Sequence, residues 1–509
     1  MKQPNIPMKI FLLFLLVTTN AFAQGPLTPP PGADPSIGPV NALNGSGAPQ
    51  ATMKTLHQVE PRIAIVAGAP GVTQNANGGY SLSGNGSYYL TGHLAVNSGS
   101  GIIIGGSRVT LDLNGFDIFS GASAADGYGV QINQNAEQVV IKNGIIKSGT
   151  VRTPGSPSTF AGHGFAAGVG STGSPGQVTI SGLTISGCAG DGIADFSSAS
   201  VDHCRVEGCS GLGIAAINIS ECLAFNNGSA GLAADIVSNS WAVGNNSNIG
   251  IYGSNVSNCV ATGNLTGIYA VTVRDCTAKA NTGDGIAGAS SVKGCVATFN
   301  GGAGIVGLDG ASIVGCASNN NSAGISVFGA TVCHCTAEAN TNTGFSVFGG
   351  TLADCLAATN MIGFSADYSS LSNCTARTNN SYGFYVSGAT LTGCVAALNN
   401  QGGIYASQST VSNCTAQQNK KAGIFADGGT VSGCTAQRNG ETGTATLFDG
   451  AGIRAENGMV QGCNAIGNYQ NGIYAPGGFV TGCRASGNSV SGGGWSGIFT
   501  SGGQATNNF

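Results

Sequence analysis

Cysteine and asparagine recur at nearly constant intervals through the C-terminal half of the chain. The cysteines of this repeat from Cys276 to Cys434, which do not include Cys333, lie 19 to 21 residues apart. Val, Ile or Leu stands three residues before each of them, and Asn stands five residues after. A period of about 20 residues that combines short β-prone runs with turn residues is typical of a β-solenoid. This spacing constrains the fold more than any other feature of the sequence.

The repeat also indicates which positions face the core. A coil of this length has room for two or three short strands, and coils would stack at the ~4.8 Å spacing of hydrogen-bonded strands. Stacking places equivalent residues above one another, so the aliphatic, Cys and Ala positions are expected to form apolar columns. The Asn column is expected to form an amide ladder at a turn. The sequence therefore predicts an all-β fold, a parallel β-helix.

The rest of the chain divides by composition. Residues 1–23 carry two lysines, an apolar run and a small-x-small site, which predicts a signal peptide. Residues 24–52 are a Pro/Gly-rich linker, 53–86 an N-terminal cap segment, and 87–509 the parallel β-helix. Within it, residues 148–176 are rich in Gly, Ser and Pro and are expected to form an insertion loop.

The signal peptide predicts a secreted or cell-surface protein. No later apolar run reaches the ~18 residues that a membrane helix needs, so no transmembrane segment is expected after cleavage. The 18 basic residues are balanced by 22 acidic residues, and no basic stripe is present. Nucleic acid is therefore not an expected partner.

The 17 cysteines are an odd number for a framework of disulfides. In the stacked column, parallel Cβ vectors would hold neighbouring sulfur atoms farther apart than a disulfide allows. We expect free, buried thiols that act as small apolar groups. The off-register Cys209 and Cys333 leave two local disulfides open, one with Cys204 and one with Cys335.

Two further segments carry a family resemblance. GSYYLTGHLAV with RVTLDLNGFDI, and MKTLHQVEPR before them, resemble the start of exported bacterial β-helix proteins. With the coil motif, the chain resembles the pectate-lyase-like superfamily over about residues 53–509. The resemblance implies a right-handed parallel β-helix with ~20-residue coils and a short N-terminal cap. It implies no particular activity, because the fold does not fix the chemistry.

One short motif resembles part of an enzyme site. Gly162-His163-Gly164 is similar to the Gly-His-Gly of polygalacturonases, whose Asn-Thr-Asp, Asp-Asp and Arg-x-Lys motifs do not occur in this chain. Glycoside hydrolysis needs two carboxylates about 5–9.5 Å apart. His163 is therefore a catalytic candidate, and the alternative is a single histidine in a glycine-rich loop.

The densest charged stretch supplies the other catalytic candidates, which are Asp191, Asp202, His203 and Arg205, with Asp195 and Glu207 beside them. Resemblance to pectate lyases implies that such acids would bind Ca²⁺ and that Arg would act as a base. Calcium needs several converging oxygens, yet these acids do not recur at one position of adjacent coils. The alternative is a solvated edge, and no cofactor other than Ca²⁺ is expected.

A set of tyrosines shares the position directly after the Gly-Ile or Gly-Phe pair: Tyr252, Tyr269, Tyr385, Tyr405 and Tyr474. The preceding Ile or Phe is expected to point inward, so alternation turns these tyrosines outward. Tyrosine offers an apolar face with a polar tip, which suits stacking on sugar rings. The alternative is the ordinary β-propensity of tyrosine on an exposed strand.

The last residues continue the repeat. Gly503 is expected at the cysteine position, with Ala505 and Asn508 at the Ala and Asn positions. An uncapped C-terminal coil exposes strand edges, which favours self-association there.

Two functional hypotheses follow. The favoured one is an exported β-helix scaffold, a binding or structural protein with polysaccharide as its partner. The alternative is a polysaccharide-processing enzyme, a pectate-lyase-like lyase or a glycoside hydrolase, that acts near residues 148–207.

Overall fold

The computed structural model of the protein describes residues 62–155, 157–194, 198–245, 249–440, 450–489 and 497–509. The predicted signal peptide, the linker and the start of the cap segment lie outside these residues, as does Asp195. Residues 62–509 form one compact unit. Its described residues are all-β, and no helix among them is long and apolar enough to cross a membrane.

The N-terminal strands build the first coils. Pairing begins within the predicted cap segment, where Arg62–Ala64 lies parallel to Gly86–Tyr89. The strands of this part are Arg62–Ala64, Val72–Gln74, Tyr80–Leu82, Gly86–Tyr89, Leu94–Val96, Ile102–Ile104, Val109–Asp112, Asp117–Ser120, Tyr128–Ile132, Val139–Lys147, Val151–Thr153, Thr159–Ala161, Ala167–Ser171 and Val178–Ser186.

From residue 199 onward, each coil stacks its strands on those of the next coil in three columns. The first column holds Ile214–Ala215, Ala323–Phe328, Thr343–Phe348, Ile362–Asp367, Phe384–Ser387, Ile404–Ser407, Ile424–Asp427, Ile453–Glu456, Ile473–Tyr474 and Ile498–Phe499. The second column holds Ala199–Asp202, Asn218–Ser220, Thr331–Cys333, Thr351–Ala353, Ser370–Ser372, Thr390–Thr392, Thr410–Ser412, Thr430–Ser432, Met459–Gln461, Phe479–Thr481 and Gln504–Thr506.

The third column holds Arg205–Glu207, Leu223–Phe225, Trp241–Val243, Val260–Thr262, Thr277–Lys279, Val296–Thr298, Ala317–Asn319, Thr336–Glu338, Leu356–Ala358, Thr375–Arg377, Val395–Ala397, Thr415–Gln417, Thr435–Gln437, Asn464–Ile466 and Arg484–Ser486. Longer strands span the first and second columns: Leu232–Ser238, Ile249–Ser257, Thr266–Arg274, Ile286–Lys293 and Ala303–Val314. Pairing between these coils is parallel and in register, apart from register shifts in the pairing of Ile286–Lys293 with the strands on either side of it. The predicted fold class, a right-handed parallel β-helix, is confirmed.

The predicted amide ladder is confirmed in atomic detail. Asn379 Nδ2 donates to Asn399 Oδ1 at 2.9 Å, and the Asn379 backbone N–H donates to the same oxygen at 3.0 Å. Asn379 Nδ2 also reaches the carbonyl oxygen of Ala357 at 3.4 Å. The same pattern runs through buried asparagines from Asn227 to Asn468. The ladder thereby satisfies backbone groups at a turn that is closed to water.

The ladder explains why glycine precedes the buried Ile or Phe in each coil. A Cβ at Gly383 would lie 2.6 Å from the Gly403 carbonyl oxygen and 2.7 Å from Asn399 Nδ2. The position therefore excludes a side chain because the next coil occupies the space.

The cysteines form a second ladder. The Cys394 backbone N–H points at Cys414 Sγ at 3.4 Å, and the Cys414 thiol donates to the Ser412 carbonyl at 3.2 Å. Ser240 takes the same place in one coil, where its Oγ accepts from the Cys222 N–H at 3.1 Å. All 17 cysteines are free, and Cys333 alone among them is less than fully buried. The structure therefore contains neither of the two local disulfides.

We expect these thiols to resist modification in the folded protein. Hydrogen bonds along the ladder raise the pKa of some of these thiols, Cys434 to about 12, and lower that of others, Cys394 to about 4. The expected resistance therefore comes from burial, which closes the sulfur atoms to the reagent. Reaction with an aromatic disulfide reagent should give one slow equivalent in buffer and 17 in denaturant. Cys333→Ser should remove the native equivalent, and rapid reaction of several native thiols would contradict the ladder.

The last coil departs from its predicted register. Gln504–Thr506 pairs with Phe479–Thr481, so Ala505 lies over Val480 and not at the Ala position of the repeat. Asn508 Oδ1 accepts from the Cys483 N–H at 2.9 Å, the role that sulfur has elsewhere. The expected placement of Gly503, Ala505 and Asn508 is therefore wrong, because Asn508 fills the cysteine position.

Candidate functional site

The outward side of the first strand column carries a run of aromatic residues. Equivalent positions of six successive coils are occupied by Tyr385, Tyr405, Phe425, Arg454, Tyr474 and Phe499. The preceding residue in each of these strands is Ile or Phe, and those with full burial include Phe384, Ile404 and Ile424. Strand alternation therefore places the aromatic residues on the surface.

The rings stack along the axis of the solenoid. Tyr385 and Tyr405 have centroids 4.8 Å apart with an interplanar angle of 9°, and Phe425 follows at 4.9 Å. The Arg454 guanidinium lies 4.9 Å from the Phe425 centroid, and Tyr474 stacks on Phe499 at 5.3 Å. In these pairs, each group covers part of the face of its neighbour. The column therefore offers mainly ring edges and tyrosine hydroxyls to a ligand.

A groove opens beside this column, and we call it the aromatic groove. Its cavity of about 110 Å³ is lined by Tyr382, Gly402, Ile404, Tyr405, Lys421, Ala422, Phe425 and Arg454. Tyr382 lies at 5.6 Å and a tilt of 57° to the Tyr405 ring. Burial raises the pKa of Tyr405 above the ordinary value, and its protonated hydroxyl can donate a hydrogen bond. The lining combines two cations with three rings and contains no carboxylate.

More apolar side chains continue the surface toward the N-terminus. Phe328 and Phe348 lie on the same outward side, two residues later in their strands, with centroids 6.0 Å apart. Tyr368 meets Phe348 edge-on at 5.4 Å, and Leu308 is about half exposed. We call this set, with the rings of the column and Tyr382, the aromatic face. It spans ten coils, or roughly 40 Å at the strand spacing.

Sequence reasoning selected three residues of this face and missed the others. Tyr385, Tyr405 and Tyr474 lie in it, whereas Tyr252 and Tyr269 form a separate exposed stack at 5.9 Å. Ala287 and Val306 separate that stack from the face. Phe425 and Phe499 follow the same Gly-Ile signal and were missed because only tyrosines were considered.

The catalytic candidates lie around the segment that was predicted as an insertion loop. Residues 148–176 contain an antiparallel hairpin, Val151–Thr153 with Thr159–Ala161, and a strand of the solenoid, Ala167–Ser171. A Cβ on Gly228 would lie 3.0 Å from the Phe160 ring, so the hairpin packs against that coil. The hairpin thereby covers one side of the early coils.

A cleft lies between this hairpin and the coils, and we call it the hairpin cleft. Its cavity of about 390 Å³ is lined by Ser148, Thr150, Arg152, Ser186, Gly187, Glu207, Gly208, Phe225 and Asn226. Arg205 donates through Nε to Glu207 at 3.0 Å and lies 5.9 Å from the Phe225 centroid.

His163 and Asp191 support the backbone. His163 Nδ1 lies 2.7 Å from the Ser123 carbonyl oxygen, and the His163 backbone N–H donates to Thr150 Oγ1 at 3.2 Å. Asp191 Oδ1 accepts from the Leu212 N–H of the next coil at 2.7 Å. Neither side chain is joined by these contacts to the other catalytic candidates.

The structure does bring Asp202 and His203 together at an exposed turn. His203 lies between two carboxylates, with Nδ1 2.7 Å from Asp202 Oδ2 and Nε2 2.6 Å from Glu221 Oε2. The hydrogen bond to Asp202, supported by Glu221, raises the pKa of His203 above its ordinary value. The φ of His203 is 51°, a left-handed value that is shared by the residue before most column cysteines.

The two cavities lack the carboxylate pair of a glycosidase. Glu207 is the single carboxylate lining the hairpin cleft, and the aromatic groove has none. Hydrolysis by the usual route needs two. Within the described residues, no three His, Cys, Asp or Glu side chains group as ligands for a metal ion.

One protein family matches the sequence, over residues 329–475, and its description is "Right handed beta helix region". This part of the chain is a right-handed β-helix. The match lies within the stacked columns and includes the aromatic groove. No curated protein matches the sequence.

Several solved structures resemble the β-helix at low identity. A mannuronan C-5 epimerase A-module of Azotobacter vinelandii is 14% identical, with 79% of this chain and 90% of that chain covered and a TM-score of 0.21. A periplasmic alginate epimerase is 10% identical over 88% and 82%, with a TM-score of 0.20. The tailspike of E. coli bacteriophage HK620 is 12% identical over 84% and 72%, with a TM-score of 0.22. At these values, no activity is carried over to this chain.

Proposed function

We propose that the protein is an exported β-helix scaffold that binds polysaccharide along its aromatic face. The observation that carries the proposal is the column of five rings and Arg454 from Tyr385 to Phe499 on one side of the solenoid. Exposed aromatic residues in a continuous patch mark interaction surfaces in soluble proteins. The predicted signal peptide supports a secreted or surface location, where such polymers occur.

The geometry supports a polymer ligand over a small one. Equivalent groups repeat once per coil, so a chain molecule can make the same weak contact many times. Repeated contacts within one chain raise the overall affinity without any strong single site. The aromatic groove is small, and its tyrosine hydroxyls and two cations would add hydrogen bonds to sugar hydroxyls.

An enzyme remains the second candidate, because the hairpin cleft contains chemistry that a binding surface does not need. Glu207 lines the cleft and accepts a hydrogen bond from Arg205, and Asp202 with His203 lies on the turn before that strand. A lyase could use Arg as its base together with Ca²⁺. The single carboxylate in the cleft favours the scaffold.

Binding can be tested by affinity electrophoresis of residues 24–509 in gels that contain neutral or uronic-acid polysaccharides. Tyr405→Ala should weaken retention by about three- to tenfold, since an aromatic contact contributes ~0.5–1.5 kcal/mol. Tyr405→Phe should retain part of the effect, because it keeps the ring edge and loses the hydroxyl. Trp241→Ala is the matched control, an exposed aromatic residue in the third strand column.

The same samples separate the scaffold from the enzyme. Reducing ends and unsaturated products are measured with and without Ca²⁺, and His163→Ala and Asp202→Ala serve as test variants. Product that disappears in either variant would support the enzyme. Retention that Tyr405→Ala and Trp241→Ala weaken equally would contradict the role of the aromatic face.

A further inference from the structure

The hairpin strand Val151–Thr153 directs one basic side chain into the cleft. Arg152 pairs across the hairpin with Phe160, so the two side chains lie on one face of it. Both are partly buried, whereas Val151, Thr153, Thr159 and Ala161 are exposed. This face packs on the solenoid, which places Arg152 in the lining of the hairpin cleft.

The Arg152 side chain has no hydrogen-bond or ion-pair partner among the described residues. Its Nε is buried without a hydrogen-bond acceptor. The cleft carboxylate is already engaged, because Glu207 accepts from Arg205 Nε at 3.0 Å. Arg152, Arg205 and Glu207 together therefore carry a net positive charge. A guanidinium in a recess without an acceptor is poised for an external oxyanion.

The remaining lining fits a polar ligand. The hydroxyls of Ser148 and Thr150 are fixed by the His163 carbonyl oxygen at 3.0 and 3.2 Å, so this wall is rigid. Ser186 and Asn226 present a hydroxyl and an amide to the cavity, and Phe225 supplies an apolar side. The volume of about 390 Å³ lies in the range of small-molecule sites.

We propose that the hairpin cleft is an oxyanion-binding site in which the Arg152 guanidinium holds a carboxylate or sulfate group. The source is either a free anion or an acidic group carried on a sugar, since both present the same oxygens. This site is distinct from the aromatic face and does not depend on polysaccharide binding there.

Calorimetric titration of residues 24–509 with sodium sulfate, glucuronate and glucose at fixed ionic strength tests the site. Wild type should bind sulfate or glucuronate and not glucose. Arg152→Gln should weaken binding at least about tenfold, since a hydrogen bond to a charged group is lost. Equal binding of sulfate and glucuronate would identify a free anion as sufficient, and a preference for glucuronate would identify a sugar-borne acid.

Glu207→Gln provides a variant with the opposite expected effect. Removing this carboxylate should tighten anion binding about threefold, because Arg205 then adds to the positive charge. A loss of folding cannot produce tighter binding. Arg377→Gln, at an exposed arginine 3.5 Å from Glu338, is the matched control and should leave binding unchanged.

Two results would show that Arg152 does not form an oxyanion site in the hairpin cleft. Binding that is unchanged in Arg152→Gln, or glucose binding equal to glucuronate, would overturn the proposal. Tyr405→Ala should leave anion binding at the wild-type value, so failure of the aromatic face as a glycan surface would not affect this result.

Discussion

Asn379→Ala is expected to lower the free energy of unfolding by about 3 kcal/mol, although it removes only a small polar side chain. Asn379 Oδ1 accepts from the Asn360 backbone N–H at 3.0 Å and from Asn360 Nδ2 at 3.3 Å. Its Nδ2 donates to Asn399 and Ala357. The substitution leaves the Asn360 N–H buried without its acceptor and removes the contact to the Ala357 carbonyl. An unmade buried hydrogen bond carries the full desolvation penalty.

The measurement is urea unfolding followed by far-UV circular dichroism, with limited proteolysis to locate the weakened coils. In a solenoid each coil contacts only its neighbours, so new cleavage sites should cluster near residues 360–400. Asn380→Ala is the matched control, because Asn380 is exposed and receives one long hydrogen bond of 3.4 Å from Asn400. Equal destabilisation by the two variants would contradict the ladder as a source of stability.

The columns could be predicted because each coil presents the same environment to its neighbour. A buried amide at a turn is satisfied by an identical amide one coil away, so Asn recurs without exception over the regular coils. The thiol position accepts Cys, Ser or Asn, as Ser240 and Asn508 show, because the requirement is an acceptor for one backbone N–H. Spacing alone therefore identified both ladders.

Short motifs become ambiguous where the repeat is degenerate. Gln504–Thr506 has the Ala-centred pattern of a third-column strand, yet it pairs with Phe479–Thr481 in the second column. Both columns take a buried small or aliphatic residue at the centre of a three-residue strand. Only hydrogen bonding to the preceding coil distinguishes them, and this information is absent from three residues of sequence.

The hairpin cleft could not be found from the sequence for a different reason. Residues 148–176 interrupt the repeat, so no neighbouring coil indicates where Arg152 points. The charged stretch did contain Arg205, but its pairing with Glu207 and the nearby Arg152 depend on how the hairpin folds back. The periodicity of the sequence predicts the columns. A site that is built by an insertion depends on tertiary packing, which the repeat does not indicate.

The largest loss of stability is expected for Phe364→Ala. Phe364 is fully buried between Phe345 and Phe384, and both ring pairs have centroid distances of 4.8 Å and interplanar angles of 6°. Truncating a buried Phe to Ala costs about 3–5 kcal/mol, from lost transfer free energy and from the cavity that remains. The hydrogen-bonded strands on both sides limit collapse of that cavity, which favours the upper part of the range.

Phe364→Ile separates the loss of volume from the loss of ring stacking. Isoleucine occupies the same column at Ile325 and Ile404, so the backbone accepts it, and the expected cost is below about 1.5 kcal/mol. Urea unfolding of the two variants measures the difference. A similar loss in both would show that stacking of the three rings stabilises the core more than filling it does. Phe364 and Ser365 lie in the strand that pairs with the strand of Phe384 and Tyr385, and Ser365 lies beside Tyr385. The Phe364→Ala variant should therefore also loosen the aromatic column at Tyr385.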